Sequence, residues 1–335
     1  MKRLIAAIAV LMIGTALKAE TYSYDNPDNP TVLTVTVGAD EQDATFNASK
    51  WAATIVKLVK AGEGTLVMDA DLSSCTFDLE VREGLFRLDS DGGLGNSAST
   101  NHSRVDVANG ATIWLNNQDQ TAHRYRDYHI AGQGVTGPDP DDAGKTLVYG
   151  AVLIGGTTKN NALTHKVTLE GDAWIRFYVN NSWIKGTIDV NGHDLRLRAA
   201  GASYFGDRNS EVLLTDSSEG KTGTWTIDLS TATLSIYMNV KTVGAASNRI
   251  IVENAGKFEL YKLSRNAQDW TLYVKNGGTL VGKAGATAWS PDLFNDWMGP
   301  VLFDDGAVGR VRNRGYTTGF FIDKPNGEGY SYDIS

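Results

Sequence analysis

Gly64-Thr65-Leu66-Val67-Met68 and, about twenty residues on, Gly84-Leu85-Phe86-Arg87-Leu88 decide the fold class of this chain. Each pairs a glycine corner with a short run in which alternate side chains point to opposite sides of the pleat. The unit returns as Gly110-Ala111-Thr112-Ile113-Trp114-Leu115, Gly171-Asp172-Ala173-Trp174-Ile175-Arg176-Phe177 and Asn191-Gly192-His193-Asp194-Leu195-Arg196-Leu197. Gly256-Lys257-Phe258-Glu259-Leu260 and Gly278-Thr279-Leu280-Val281 extend the series. All seven prolines fall outside these strand cores, as a sheet requires.

Sandwiches and barrels join strands through tight two-residue hairpins. Here a glycine-led strand recurs at roughly one-coil spacing instead, which predicts stacked coils that bury an apolar face against each other. The expected fold is all-β: a single-stranded right-handed parallel β-helix, or β-solenoid. Leu66, Phe86, Ile113, Ile175, Leu195, Phe258 and Leu280 are expected to point into its interior. Near the N-terminus two readings stand side by side. Asn47 can cap a helical turn that places Trp51, Ile55 and Leu58 on one face, covering the open end of the first coil. The β-branched residues of Thr54–Val59 suit a further buried strand equally well.

The stretch Leu58-Val59-Lys60-Ala61-Gly62-Glu63-Gly64-Thr65-Leu66-Val67-Met68 resembles the autotransporter-associated β-strand repeat, whose core reads Lys-x-Gly-x-Gly-Thr-Leu. Val81-Arg82-Glu83-Gly84-Leu85-Phe86-Arg87-Leu88 is similar to its second half, with Leu85 where the family usually has Thr. Val105 to Ile113, Val167 to Ala173 and Gly186 to Leu195 are similar to later coils. The resemblance runs well over residues 55 to 200 and loosely over 201 to 320. It implies a parallel β-helix in a secreted or surface-displayed bacterial protein with an adhesive or display role, and it is nearly silent on chemistry. Autotransporters end in a membrane β-barrel, for which the residues before Ser335 leave no room, so attachment by that route is not expected.

Met1-Lys2-Arg3, the apolar run Leu4 to Leu17 and the small residue Ala19 match a secretory signal peptide, with the mature chain opening at Glu20. The apolar run is too short to span a bilayer comfortably. The expected organisation is a signal peptide at 1–19, a cap region at 20–54, the solenoid at 55–323 and a tail at 324–335, in a protein secreted or held at the cell surface. No transmembrane segment is expected in the mature chain. The 335 residues carry a net charge of −8, which becomes −11 once Lys2, Arg3 and Lys18 leave with the signal peptide. So acidic a chain is poorly suited to nucleic acid or to anionic membranes. Its single cysteine, Cys75, excludes an internal disulfide and any site needing two thiolates.

The chemical motifs are weak. Gly144-Lys145-Thr146 lacks the earlier glycine of a phosphate-binding loop and follows an acidic stretch. Asp139, Asp141 and Asp142 lack the glycine and distal glutamate of an EF-hand loop, so they read as a solvated insertion. His102, His123, His129, His165 and His193 show no zinc spacing, and no metal or cofactor is expected. Asp304-Asp305 and the alternating Arg310, Arg312 and Arg314 are the nearest approach to a lyase or glycosidase site. They read more simply as a turn and a solvated strand edge.

The most suggestive surface is aromatic. With Ala173, Ile175 and Phe177 inward, Trp174, Arg176 and Tyr178 share the outer face beside Arg196 and Arg198. Rings and guanidinium groups suit sugars, unless an insertion covers them. The expected role is therefore structural or adhesive and non-catalytic. Trp174, Arg176, Tyr178 and Arg196 are the candidate contacts to an extracellular glycan or a host or cell-surface polymer. The alternative is a carbohydrate-active enzyme, a polysaccharide lyase or glycosidase, on the same fold.

Overall fold

The computed structural model describes residues 20–41, 43–96, 102–116, 126–139, 142–156, 162–163, 165–178 and 182–199. Beyond these it describes 203–205, 212–215, 217–218, 223–228, 233–240, 249–253, 257–263, 271–283, 301–304 and 308–312. The expected signal peptide, Asp305 and Arg314 lie outside the described residues.

The strands stack in parallel ladders, as a β-solenoid requires. One ladder runs through Val32–Thr36, Lys57–Ala61, Asp78–Val81, Arg104–Val107, Asp127–Gly132 and the first half of Lys166–Phe177, then on to Thr187–Asp189 and Val212–Thr215. Its inner column is Leu33, Leu58, Leu79, Val105, Tyr128, Val167 and Ile188, all buried. The steps between them are 25, 21, 26, 23, 39 and 21 residues, so one coil carries a long insertion. A second ladder joins Ala44–Thr45, Thr65–Met68, Leu85–Leu88, Thr112–Leu115, Val152–Ile154, the second half of Lys166–Phe177 and Leu195–Ala199. It continues through Thr224–Asp228, Arg249–Glu253, Thr271–Val274 and Val301–Phe303. From Ala162–Leu163 onward a third ladder joins Ser182–Ile184, Ser203–Phe205 and later strands as far as Val308–Arg312.

The expected interior residues Leu66, Phe86, Ile113, Ile175 and Leu195 are fully buried. Leu66, Phe86, Ile113, Val152, Ile175 and Leu197 form one in-register column, so each coil rests its side chains on the last. Burying side chains of this size contributes roughly 1.5–3 kcal/mol each. Phe258 and Leu280 occupy paired positions on adjacent strands, but their side chains lie outside what is described.

The helical reading of the N-terminal region does not hold, since residues 51–56 form no helix that could put Trp51, Ile55 and Leu58 on one face, and the strand reading over 54–59 holds in part. Asn47 caps a single 3-10 turn, Ala48–Lys50, by accepting from the Ser49 N–H, and the strand follows at Lys57–Ala61. Four rings, Tyr22, Phe46, Trp51 and Phe77, contact one another in sequence there, with centroids 4.7 to 6.4 Å apart. The strand Thr21–Tyr24 lies antiparallel on Val32–Thr36, so it pairs the outer edge of that first rung.

The corner between the first two ladders depends on glycine and on one lysine. Gly84 has φ +66°, and a Cβ there would sit 2.6 Å from the carbonyl oxygens of Gly62, Glu63 and Gly64. No other residue fits without moving backbone. Lys60 stands in the inner column beside Val35 and Val81 and is fully buried. Its Nζ donates to the carbonyl oxygens of Ala61, Gly62 and Glu83 at 3.1, 2.5 and 2.9 Å. Burial lowers its pKa to about 8, against the upward pull of Glu83.

Candidate functional site

The outer faces carry the polar chemistry. On the second ladder, the outer column runs Val67, Arg87, Trp114, Leu153, Arg176 and Arg198. An antiparallel hairpin, Thr136–Asp139 with Asp142–Val148, makes up part of the long insertion and lies against this face. Leu85, Tyr149, Leu153 and Tyr178 are buried together in a second, external apolar cluster, with Trp114, Val135 and Leu147 packed on it. Trp114 meets Tyr178 edge-on at 6.4 Å and Tyr149 at 6.3 Å. Its indole N–H donates to the Gly155 carbonyl at 2.6 Å, while the Arg87 guanidinium stands 5.7 Å from its ring centre.

The four sequence-predicted site residues share the outer face, but their surroundings differ. Arg176 is buried, and its Nε donates to the Val148 carbonyl of the hairpin at 2.7 Å. Tyr178 is buried too, with its hydroxyl 3.4 Å from the Asp139 carboxylate. The insertion read from sequence as a solvated loop thus covers these two side chains. Trp174 remains half-buried, with the Arg196 and Arg198 guanidinium carbons 5.2 and 5.5 Å from its ring centre. The part of the predicted set that reaches solvent is therefore Trp174 with Arg196, joined by Arg198. An indole flanked by guanidinium groups offers cation–π energy and charged donors in one place.

Asp139 and Asp142 serve the hairpin. Asp142 pairs with Lys145 at 2.8 Å and accepts from the Gly144 N–H at 3.2 Å. At the other end of the chain, Asp304 accepts from the Tyr273 hydroxyl at 2.6 Å. The Arg310 and Arg312 side chains lie outside what is described.

On the first ladder the outer face is ionic. Glu80 is held by Arg82 and Lys57 at 2.7 and 2.5 Å, and the Arg82 bond is the leading cause of a carboxyl pKa lowered to about 2. Arg104 pairs with Asp106 at 2.6 Å, and His129 Nδ1 lies 2.5 Å from Glu170. Near this face the fold gathers His102, Asp127 and His165, whose potential ligand atoms all lie within 4.8 Å of one another. His165 Nδ1 is 2.8 Å from the Asp127 carboxylate, and the two imidazole rings are 5.1 Å apart. Sequence spacing did not suggest this group, because its members come from different coils.

No helix among the described residues is long and apolar enough to cross a membrane. No family model matches this chain, and neither a curated protein nor a solved structure matches it.

Proposed function

We propose that this β-solenoid is an exported structural and adhesive element that contacts an extracellular glycan through Trp174, Arg196 and Arg198. The observation that carries the reading is the Trp174 group itself: a half-buried indole flanked by two guanidinium groups. The neighbouring aromatic residues Tyr149 and Tyr178 are buried in packing, whereas this one keeps a solvent-facing part. Paired guanidinium groups favour sugars that bear carboxylate or sulfate, since they offer charge-assisted hydrogen bonds. A stacking contact adds about 0.5–1.5 kcal/mol, which suits weak contacts multiplied along a polymer.

The solenoid is suited to this role because every coil pairs its backbone with the next, making a stiff support outside the cell. The resemblance of Leu58–Met68 to the passenger-type repeat points the same way. The test is co-sedimentation of the purified chain with insoluble acidic and neutral polysaccharides, together with an assay for newly formed chain ends. Retention on an acidic polysaccharide without new ends is the expected result. Progressive release of new ends would replace this reading with the carbohydrate-active enzyme.

A further inference from the structure

We propose that His102, Asp127 and His165 form a binding site for a divalent transition metal, with zinc as the reference ion. Two imidazole nitrogens and one carboxylate oxygen are a three-ligand set that zinc accepts, leaving a fourth position for water. The three ligand atoms already lie within 4.8 Å of one another. Four-coordinate zinc, with bonds of about 2.0–2.1 Å, holds neighbouring ligand atoms roughly 3.3 Å apart. The set must therefore contract by about 1.5 Å at its widest. His102 is the exposed member of the set, whereas Asp127 already holds the His165 ring at 2.8 Å.

The local charges do not oppose a cation as strongly as the register first implies. Asp127 pairs in the ladder with Arg104 on one side and Lys166 on the other. Arg104 is itself matched by Asp106 at 2.6 Å and lies 3.8 Å from Glu170, and Lys166 lies 3.9 Å from Asp189. The two cations that face Asp127 in the ladder thus each have a carboxylate, and Arg126, next to it in the chain, donates instead to the Leu94 and Asn96 carbonyls. The donors are also selective: two imidazoles favour zinc, cobalt or nickel over calcium and magnesium, which prefer oxygen.

The position gives the site a structural consequence. His102 precedes Arg104–Val107, Asp127 opens Asp127–Gly132, and His165 precedes Lys166–Phe177, three successive rungs of one ladder. The last of these steps is the one lengthened by the insertion. A metal bound here would clip the coils where the chain leaves and re-enters the stack, and binding only the folded form would raise stability.

The experiment uses the untagged chain, stripped of metal with a chelator, and calorimetric titration with zinc chloride. Cobalt(II) absorption reports the coordination, since four-coordinate cobalt gives intense visible bands and six-coordinate cobalt weak ones. The expected result is one zinc per chain, a raised melting temperature and intense cobalt bands, with calcium producing none of these effects. His102→Ala and His165→Ala should each weaken zinc binding at least about tenfold, whereas His129→Ala, altering the neighbouring Glu170 pair, should not. Circular dichroism confirms that the variants fold, and exposed His102 provides the decisive variant if His165→Ala does not. No zinc binding by the parent up to about 1 mM, or losses smaller than about tenfold in the folded variants, overturns the proposal.

Discussion

The Lys60 ammonium donates to the Glu83 carbonyl oxygen on the following coil, 2.9 Å away, from a fully buried position in the inner column. With its bonds to Ala61 and Gly62, it ties together the corners of two coils. Its pKa in the folded chain is about 8, below the ordinary 10.5, so the unfolded chain holds the proton more tightly between those values. Stability contributed by the neutral form is therefore complete above about pH 10.5 and is lost as pH falls through about 8. Urea unfolding of the parent should show a gain of about 2 kcal/mol between pH 7.5 and 9.5. Lys60→Met should abolish that gain while lowering stability throughout, because the corner carbonyls lose the donor they have from either form of the amine. The same pH slope in parent and variant would mean that Lys60 is not the titrating group.

Tyr128 fills the inner column between Val105 and Val167, fully buried, and its hydroxyl has no hydrogen-bond partner among the described residues. Burial pushes the phenol pKa up, as desolvation of the anion requires. Tyr128→Phe removes a polar group that gains nothing inside the stack. The unfolding free energy should rise by about 1 kcal/mol. A loss of stability in urea unfolding would mean that the hydroxyl is satisfied in solution.

How far the sequence discloses the fold depends on whether the physics is local. Leu66, Phe86, Ile113, Ile175 and Leu195 are legible because glycine marks the corner and a strand's period of two then assigns each face. The same alternation places Lys60 inward with Leu58, yet its charge hides that role, since only three carbonyls from two coils make burial tolerable. The hairpin Thr136–Val148 is hidden for a different reason. Its segment is rich in Pro, Gly and Asp, and the cluster it overlies includes Tyr178, which follows the later strand Lys166–Phe177. His102, Asp127 and His165 are separated by 25 and 38 residues, one coil and one coil plus insertion. Aligning the chain coil by coil, with Asp127 beneath Lys166, is the signal that could have found them.

Gly84 offers a test of the corner. Alanine there must adopt φ +66° and place its Cβ 2.6 Å from three carbonyl oxygens. Gly84→Ala should lower stability by more than about 2 kcal/mol, since left-handed backbone alone costs an L-residue roughly 1–2. Thermal melting checks this. A melting temperature equal to the parent's would show that the corner relaxes freely.

The outer cluster and the open patch should respond differently to truncation. Tyr178 is buried among Leu85, Tyr149 and Leu153 under the hairpin. Tyr178→Ala should cost about 2–4 kcal/mol in urea unfolding, close to the loss for a core aromatic residue. If the hairpin stands away from the sheet in solution, the cost will be below about 1 kcal/mol.

The most direct measurement of the proposed role compares Trp174→Ala with the parent in two assays on the same preparation. One is affinity for the acidic polysaccharide that retains the parent, and the other is melting temperature. Trp174 is half-buried beside Arg196 and Arg198, so truncation should remove a contact without opening the interior. The prediction is an affinity lowered about tenfold or more, with a melting temperature within about 3 °C of the parent's. Unchanged affinity, or a fall of many degrees in a parent that retains no glycan, would contradict it and make Trp174 a packing residue.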